Sequence, residues 1–130
     1  MGQVLRQPLT RAQRALWAAQ QATPLCPINI ALCIELTGNL DAELLRAVTL
    51  GVARQTGIAF TRFEQTERGI EQVIDRGLSD HITMKDLRTE PDPDAAGHQW
   101  MRDDYTRPLD VFHDRLMASA ILRVADDRWL

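Results

Sequence analysis

Lysine is nearly missing from this 130-residue chain: Lys85 stands alone against fourteen arginines. The 15 basic residues are outnumbered by 18 acidic ones, for a net charge of −3. Residues 1 to 60 hold five Arg and three acids, and residues 61 to 130 hold ten basic and fifteen acidic residues. The balance is therefore +2 and −5, which leaves no basic face with a nucleic-acid footprint. The arginine bias reads as the record of a GC-rich coding sequence, not as a phosphate-binding surface. Cysteine is sparse as well, with only Cys26 and Cys33. Their spacing matches no zinc signature, and an alternating strand between them would hold them too far apart for a bridge, so two reduced thiols are expected. Ser79 and Ser119 are the only serines, and neither sits in a Gly-x-Ser-x-Gly elbow. The seven glycines are scattered, without a Gly-x-Gly-x-x-Gly or Walker pattern. No run of about 18 apolar residues occurs. Met1 to Pro8 has no apolar core of signal-peptide length. The chain reads as cytoplasmic, neither secreted nor membrane-spanning.

What is present is enough for a core. Hydrophobic residues make up 45% of the chain and charged ones 25%, a composition that suits one compact domain. Thr10 and Gln13 form a capping box ahead of Leu9, Ala12, Leu16 and Ala19 at helical spacing, which predicts a helix over about 10–21. Ile28, Ile30, Leu32, Ile34 and Leu36 then alternate with residues that are mostly small, as in a strand covered on both faces and central in its sheet. Asp41 caps a second helix whose buried stripe is expected at Leu44, Leu45, Val48 and Val52, with Gly57 at its C-terminal turn. The runs 58–63 and 70–74 read as a β-hairpin, and 82–87 as a further strand. Asp92-Pro93 opens a third helix, with Ala96, Trp100, Met101 and Tyr105 on one face and Pro108 as its stop. Leu116 to Val124 alternates strongly, Asp126-Asp127 reads as a turn, and Arg128-Trp129-Leu130 reads as the start of a returning strand. The order predicts one α+β unit whose C-terminal end looks cut. An unpaired edge along Leu116 to Val124 would invite self-association.

Few residues carry chemistry. His81, His98 and His113 fall in three different predicted elements, and none lies in a metal-binding repeat. His113, in the turn before a strong strand, is the one that merits inspection. The pairs Asp92/Asp94, Asp103/Asp104 and Asp126/Asp127 are all places where a cap, a solvated helix face or a turn favours Asp. Trp17, Trp100, Trp129, Phe60, Phe63 and Tyr105 fall on stripes that periodicity assigns to packing rather than to a stacking platform. From residue chemistry alone the chain names no reaction.

The segment Leu9-Thr10-Arg11-Ala12-Gln13-Arg14-Ala15-Leu16-Trp17 resembles the opening motif of nonribosomal peptide synthetase condensation domains, roughly Leu-(Ser/Thr)-x-Ala-Gln-x-x-(Leu/Met)-Trp. Ile34 to Asp41 looks like that family's strand-to-helix junction, and Arg107-Pro108-Leu109-Asp110 like its Arg-Pro-(Phe/Leu)-Asp segment. Val124 to Trp129 is similar to the corresponding hairpin in siderophore synthetases of the enterobactin type. The resemblance runs over residues 8–130, with 1–7 as a tail. It departs at the family's second motif, where only Thr61 and Phe63 match and Phe60 stands where an Arg is usual. The motif His-His-x-x-x-Asp-Gly is not in the chain; in the family it follows a few residues beyond the position of Leu130.

The resemblance implies a chloramphenicol-acetyltransferase-like half-domain, a mixed sheet with helices packed on it. It implies amide-bond formation between substrates carried as thioesters on phosphopantetheine arms of peptidyl or aryl carrier protein domains. On that reading this chain is the N-terminal lobe portion, working with the remainder of the condensation domain and adjacent synthetase domains. It would bind no cofactor or metal itself, carry no catalytic residue, and be inactive alone. Two alternatives stay open: a non-catalytic α+β interaction or binding module, and a fragment of an acyltransferase that takes acyl groups from coenzyme A or a carrier.

Overall fold

The computed structural model describes residues 4–75 and 81–130, so Ser79 lies outside the described residues. The chain divides into two compact units. The first comprises residues up to Ile28, Val52–Asp80 and Pro108–Met117; the second comprises Asn29–Gly51, His81–Arg107 and Ala118–Leu130.

In the first unit, Val4–Pro8 forms strand β1, which takes in residues 4–7 of the segment read from sequence as a tail. Helix α1 (Arg11–Ala22) follows, and both halves of its capping box are made: Thr10 Oγ1 accepts from the Gln13 N–H at 3.2 Å, and Gln13 Oε1 accepts from the Thr10 N–H at 2.8 Å. This satisfies two donors that a helix start otherwise leaves open. Further along, β3 (Thr61–Thr66) and β4 (Gly69–Asp75) make the expected hairpin. It starts later than the apolar run, because residues 58–60 form a turn of 3-10 helix. Gly69, at φ +107°, takes a turn conformation that a side chain would strain. Strand β4 is central, antiparallel to β1 on one side and β3 on the other. Val73 in β4 is fully buried, and Leu9 and Phe60 are buried.

In the second unit the sheet order is β2 (Leu36–Thr37), β7 (Arg128–Trp129), β6 (Ser119–Ala125), β5 (Ile82–Asp86). Strands β5 and β6 are parallel, so their link must cross over, and α3 (Pro93–Thr106) supplies that crossover. Its start is built as the sequence predicts: Asp92 accepts from the Ala95 N–H at 3.0 Å, with Pro93 at the first helical position. The helix lies close on the sheet through buried Gly97, where an added Cβ would come within 2.8 Å of Leu130 Cδ1 and 3.4 Å of Val124 Cγ1. Strand β7 returns antiparallel to β6, and Leu122 and Leu130 exchange two backbone hydrogen bonds of 2.8 Å. The core here is Ile82, Ile121 and Trp129, with Leu40, Ala42, Leu45 and Leu50 packed on it.

Helix α2 (Ala42–Thr56) begins in the second unit and ends in the first. Asp41 caps it, accepting from the Leu44 N–H at 2.9 Å. Its buried stripe differs from the expected one. Leu45 is half-buried and Ala53 buried, whereas Leu44, Val48 and Val52 are exposed. Periodicity identified an apolar face but not which residues along it meet a neighbour.

Two expectations about strands are corrected. Of the apolar segment 28–36, only Leu36 is in a strand. No partner strand reaches Ile30–Glu35 among the described residues, and a strand needs its backbone groups paired. Second, the run Leu116–Val124 is not an open edge: β6 begins at Ser119 and is paired on both sides.

Leu122 is 2% exposed and Leu44 is 60% exposed. Leu122→Ala is expected to lower stability by about 2–5 kcal/mol. Leu44→Ala should stay within about 0.5 kcal/mol. Urea unfolding of both variants checks this, and equal losses would contradict the assignment of the core.

Candidate functional site

The turn after Pro108 is organised by one carboxylate. Asp110 Oδ1 accepts from the Phe112 N–H at 2.9 Å, and its Oδ2 lies 2.7 Å from His113 Nδ1. Its carbonyl accepts from the His113 and Asp114 amides, and Asp114 Oδ2 accepts in return from the Asp110 N–H. A short polar side chain that bonds to the backbone two residues on is what this kind of turn selects. The turn is anchored in the first unit by the Phe63 N–H, which donates to the Val111 carbonyl at 3.1 Å. Phe112 meets the Trp17 ring edge-on at 5.3 Å between centroids.

Because Nδ1 of His113 is engaged, Nε2 is the nitrogen left for another partner. The hydrogen bond from His113, followed by that from the Phe112 amide, holds the Asp110 carboxyl below the usual aspartate range. An Asp-oriented imidazole has the form of a base-and-orienter pair. Here, however, the His113 side chain is 83% exposed, so the low-dielectric surroundings that would strengthen such a pair are missing.

The second unit carries a charged fork. Arg88 donates through Nε and Nη2 to the two carboxylate oxygens of Asp86, at 2.9 and 2.6 Å, and through Nη1 to Asp126 at 2.6 Å. The bidentate geometry is the strong form of this contact. It holds the Asp86 carboxyl down to about 2 and pushes Arg88 upward. Asp86, Arg88, Thr89, Val124, Ala125 and Asp126 line an open depression of about 540 Å³. Nearby, Arg123 lies 4.9 Å from the centre of the Trp129 ring and donates to the Asp126 carbonyl at 2.8 Å. These contacts tie β5 to the β6–β7 turn. Arg123 Nη2 also lies 4.0 Å from Asp126 Oδ1, so two guanidinium groups face two carboxylates, which is the pattern of a structural clamp.

His81 and His98 are exposed. Asp92 is a helix cap, Asp94 pairs with Arg128, and Asp103 accepts from Gln99. Asp126 pairs with Arg88, and the Asp127 carbonyl accepts from Gly38. Asp92 is thus a cap and Asp94 and Asp126 are ion-pair partners, and no group of three or more His, Cys, Asp or Glu that could hold a metal occurs among the described residues. Phe60 and Trp129 are buried as packing residues. Cys26 and Cys33 are both free thiols. The Asp110–His113 pairing and the Arg88 fork were missed in the sequence; their signals are an Asp-x-x-His spacing and an Asp-x-Arg spacing at a strand end.

The condensation-domain family model matches residues 5–130. The chain belongs to the condensation-domain family of nonribosomal peptide synthetases. It is 32% identical over 127 residues to the isonitrile lipopeptide synthase of Streptomyces coeruleorubidus, covering 96% of this chain and 9% of that protein. It is 32% identical over 126 residues to enterobactin synthase component F of Escherichia coli (strain K12), covering 94% and 10%. The starter condensation domain of rhizomide synthetase RzmA, in complex with C8-CoA, superposes with a TM-score of 0.88 at 30% identity, covering 95% of this chain and 29% of that one. The tallysomycin biosynthesis protein TlmII, 24% identical with a TM-score of 0.84, shares the fold. The mixed α+β architecture expected from the sequence is thus the condensation-domain fold. The chain spans about a tenth of the two synthetases and under a third of the solved condensation domain.

If His113 is what holds the Asp110 carboxyl down, removing the imidazole must release it. An NMR titration of the Asp110 carboxyl carbon is expected to show a midpoint below the ordinary aspartate range, moving upward in His113→Ala. Since the folded value is lowered, the turn's contribution is present above the ordinary range and lost as pH falls through the folded value. An unchanged midpoint in the variant would remove His113 as the cause.

Proposed function

We propose that residues 8–130 are the N-terminal lobe portion of a condensation domain, supplying scaffold and tunnel wall for amide-bond formation. The family match over residues 5–130 carries this reading. In the reaction, the amine nitrogen of an acceptor attacks the carbonyl carbon of a donor thioester. The C–N bond forms, the C–S bond breaks, and the departing thiolate takes up the proton that the amine nitrogen loses, leaving as a thiol. Donor and acceptor would arrive on phosphopantetheine arms of carrier protein domains, with the remainder of the domain and adjacent synthetase modules as further partners. The cytoplasm is the compartment this chemistry implies.

No catalytic residue is assigned within these 130 residues. His113 is displayed on a turn with its Nδ1 held by Asp110, and the sequence contains no His-His-x-x-x-Asp-Gly motif. The likeness to enterobactin synthase component F and to a lipopeptide synthase favours siderophore or lipopeptide assembly. A second reading has one specific support. The rhizomide domain was solved with C8-CoA, so a fatty acyl group on coenzyme A is a candidate donor in place of a carrier-bound one.

Replacing the matching segment of enterobactin synthase component F with residues 5–130 tests the scaffold role. The chimera is expected to fold and keep measurable amide formation. A folded chimera with no product would count against the proposal. The pure 130-residue chain, given loaded carrier proteins or C8-CoA with an amine acceptor, is expected to give no amide product; turnover would overturn the inactive-portion reading.

A further inference from the structure

Helix α1 has no buried residue. Its half-buried residues are Gln13, Trp17 and Gln20, which recur at i, i+4 and i+7 on one face. Each makes a different contact within the first unit. Gln13 Nε2 donates to Gln72 Oε1 of β4 at 3.0 Å, while Gln13 Oε1 accepts from the Thr10 N–H. Trp17 meets the Phe112 ring edge-on. Gln20 closes the segment after the helix, donating to the Thr23 and Cys26 carbonyls at 3.1 and 3.2 Å and accepting from the Ile28 N–H at 2.8 Å.

A helix without a buried apolar stripe is seated by the few contacts it does make, because no larger hydrophobic area sets its position. Gln13 sets one end. Its acceptor atom fixes the helix start, and its donor atom fixes that start on the central strand of the sheet. The amide it meets is itself held, since Gln72 Nε2 donates to Gln7 Oε1 at 3.4 Å and to the Pro8 carbonyl at 3.5 Å. One helical turn later, Trp17 reaches the turn at 110–114. The N–H of Phe112 donates to Asp110 Oδ1, and Asp110 Oδ2 holds His113 Nδ1. A shift of the Phe112 ring therefore moves the amide that Asp110 accepts from, and with it the carboxylate that orients the imidazole.

We propose that Gln13 and Trp17 are positioning residues for the Asp110–His113 pair: Gln13 sets α1 on β4, and Trp17 carries that placement through Phe112 to the turn. The segment Leu9–Trp17 then has its task inside the first unit, with buried Leu9 and the Thr10 cap fixing where the helix begins. The proposal does not depend on the function proposed above.

Amide hydrogen exchange at Phe112 and the titration midpoint of the Asp110 carboxyl, both followed by NMR, read the turn directly. Trp17→Leu is expected to speed Phe112 exchange roughly two- to tenfold, the loss of one aromatic pair, and to move the Asp110 midpoint upward. Gln13→Glu keeps an acceptor for the Thr10 N–H but sets a carboxylate against Gln72 Oε1, and should move both readouts in the same direction. Adding Gln72→Lys to Gln13→Glu supplies a donor again and should restore them. Leu122→Ala weakens the core of the second unit and should leave both where they are, because local opening of the turn does not require global unfolding. Unchanged readouts in Trp17→Leu overturn the proposal. So does an equal shift in Leu122→Ala, which would make the effect one of general stability. Should Trp17→Leu fail to fold, the glutamine pair decides: readouts that Gln13→Glu leaves unmoved, or that Gln72→Lys does not restore, overturn it as well.

Discussion

Backbone pairing decides what this chain can make of its apolar sequence. A strand survives where both edges, or one edge and a packed face, are met by another strand. In the first unit β4 holds that position between β1 and β3; in the second, β6 holds it between β5 and β7. The buried residues follow the same strands: Val73 lies on β4, and Ile121, Leu122 and Val124 lie on β6. The helices are placed by what they cover. Gly97 lets α3 approach β6 closely, and Leu45 brings the start of α2 onto the Ile82, Ile121 and Trp129 cluster.

Local signals were legible in the sequence because they depend on neighbours a few residues away. The Thr10–Gln13 box, the Asp41 and Asp92 caps, Pro93 at the helix start, the Gly69 turn and the Asp126-Asp127 turn all formed where residue chemistry placed them. Signals that depend on distant partners were not. Alternation at Ile28 to Leu36 marks a segment able to be a strand, and pairing then decides whether it is one. Val4–Pro8 shows the converse, since a weakly patterned segment becomes β1 once β4 offers an edge. The outward row Leu44, Val48 and Val52 failed as a buried stripe for the same reason.

The candidate chemistry is sparse, and its sparseness is informative. Asp41 and Asp92 cap helices, Asp110 closes a turn, and the Arg88 fork ties β5 to the β6–β7 turn. His113 has an orienting partner but an exposed setting. The sequence could expose His113 as a residue of interest because of its turn, yet the Asp110 partnership depends on how that turn closes. These contacts are what rigid strands and paired charges require, and none of them activates a side chain.

The central claim is that partner availability, more than apolar pattern, determines which segments are strands. Amide hydrogen exchange followed by NMR in dilute monomer tests it most directly. Leu122 and Leu130, which exchange backbone hydrogen bonds, are predicted to be strongly protected, while Ile30, Leu32 and Ile34 exchange at nearly the rate of an unstructured peptide. Protected amides at Ile30, Leu32 and Ile34 in the monomer, with rapid exchange at Leu122, would contradict it.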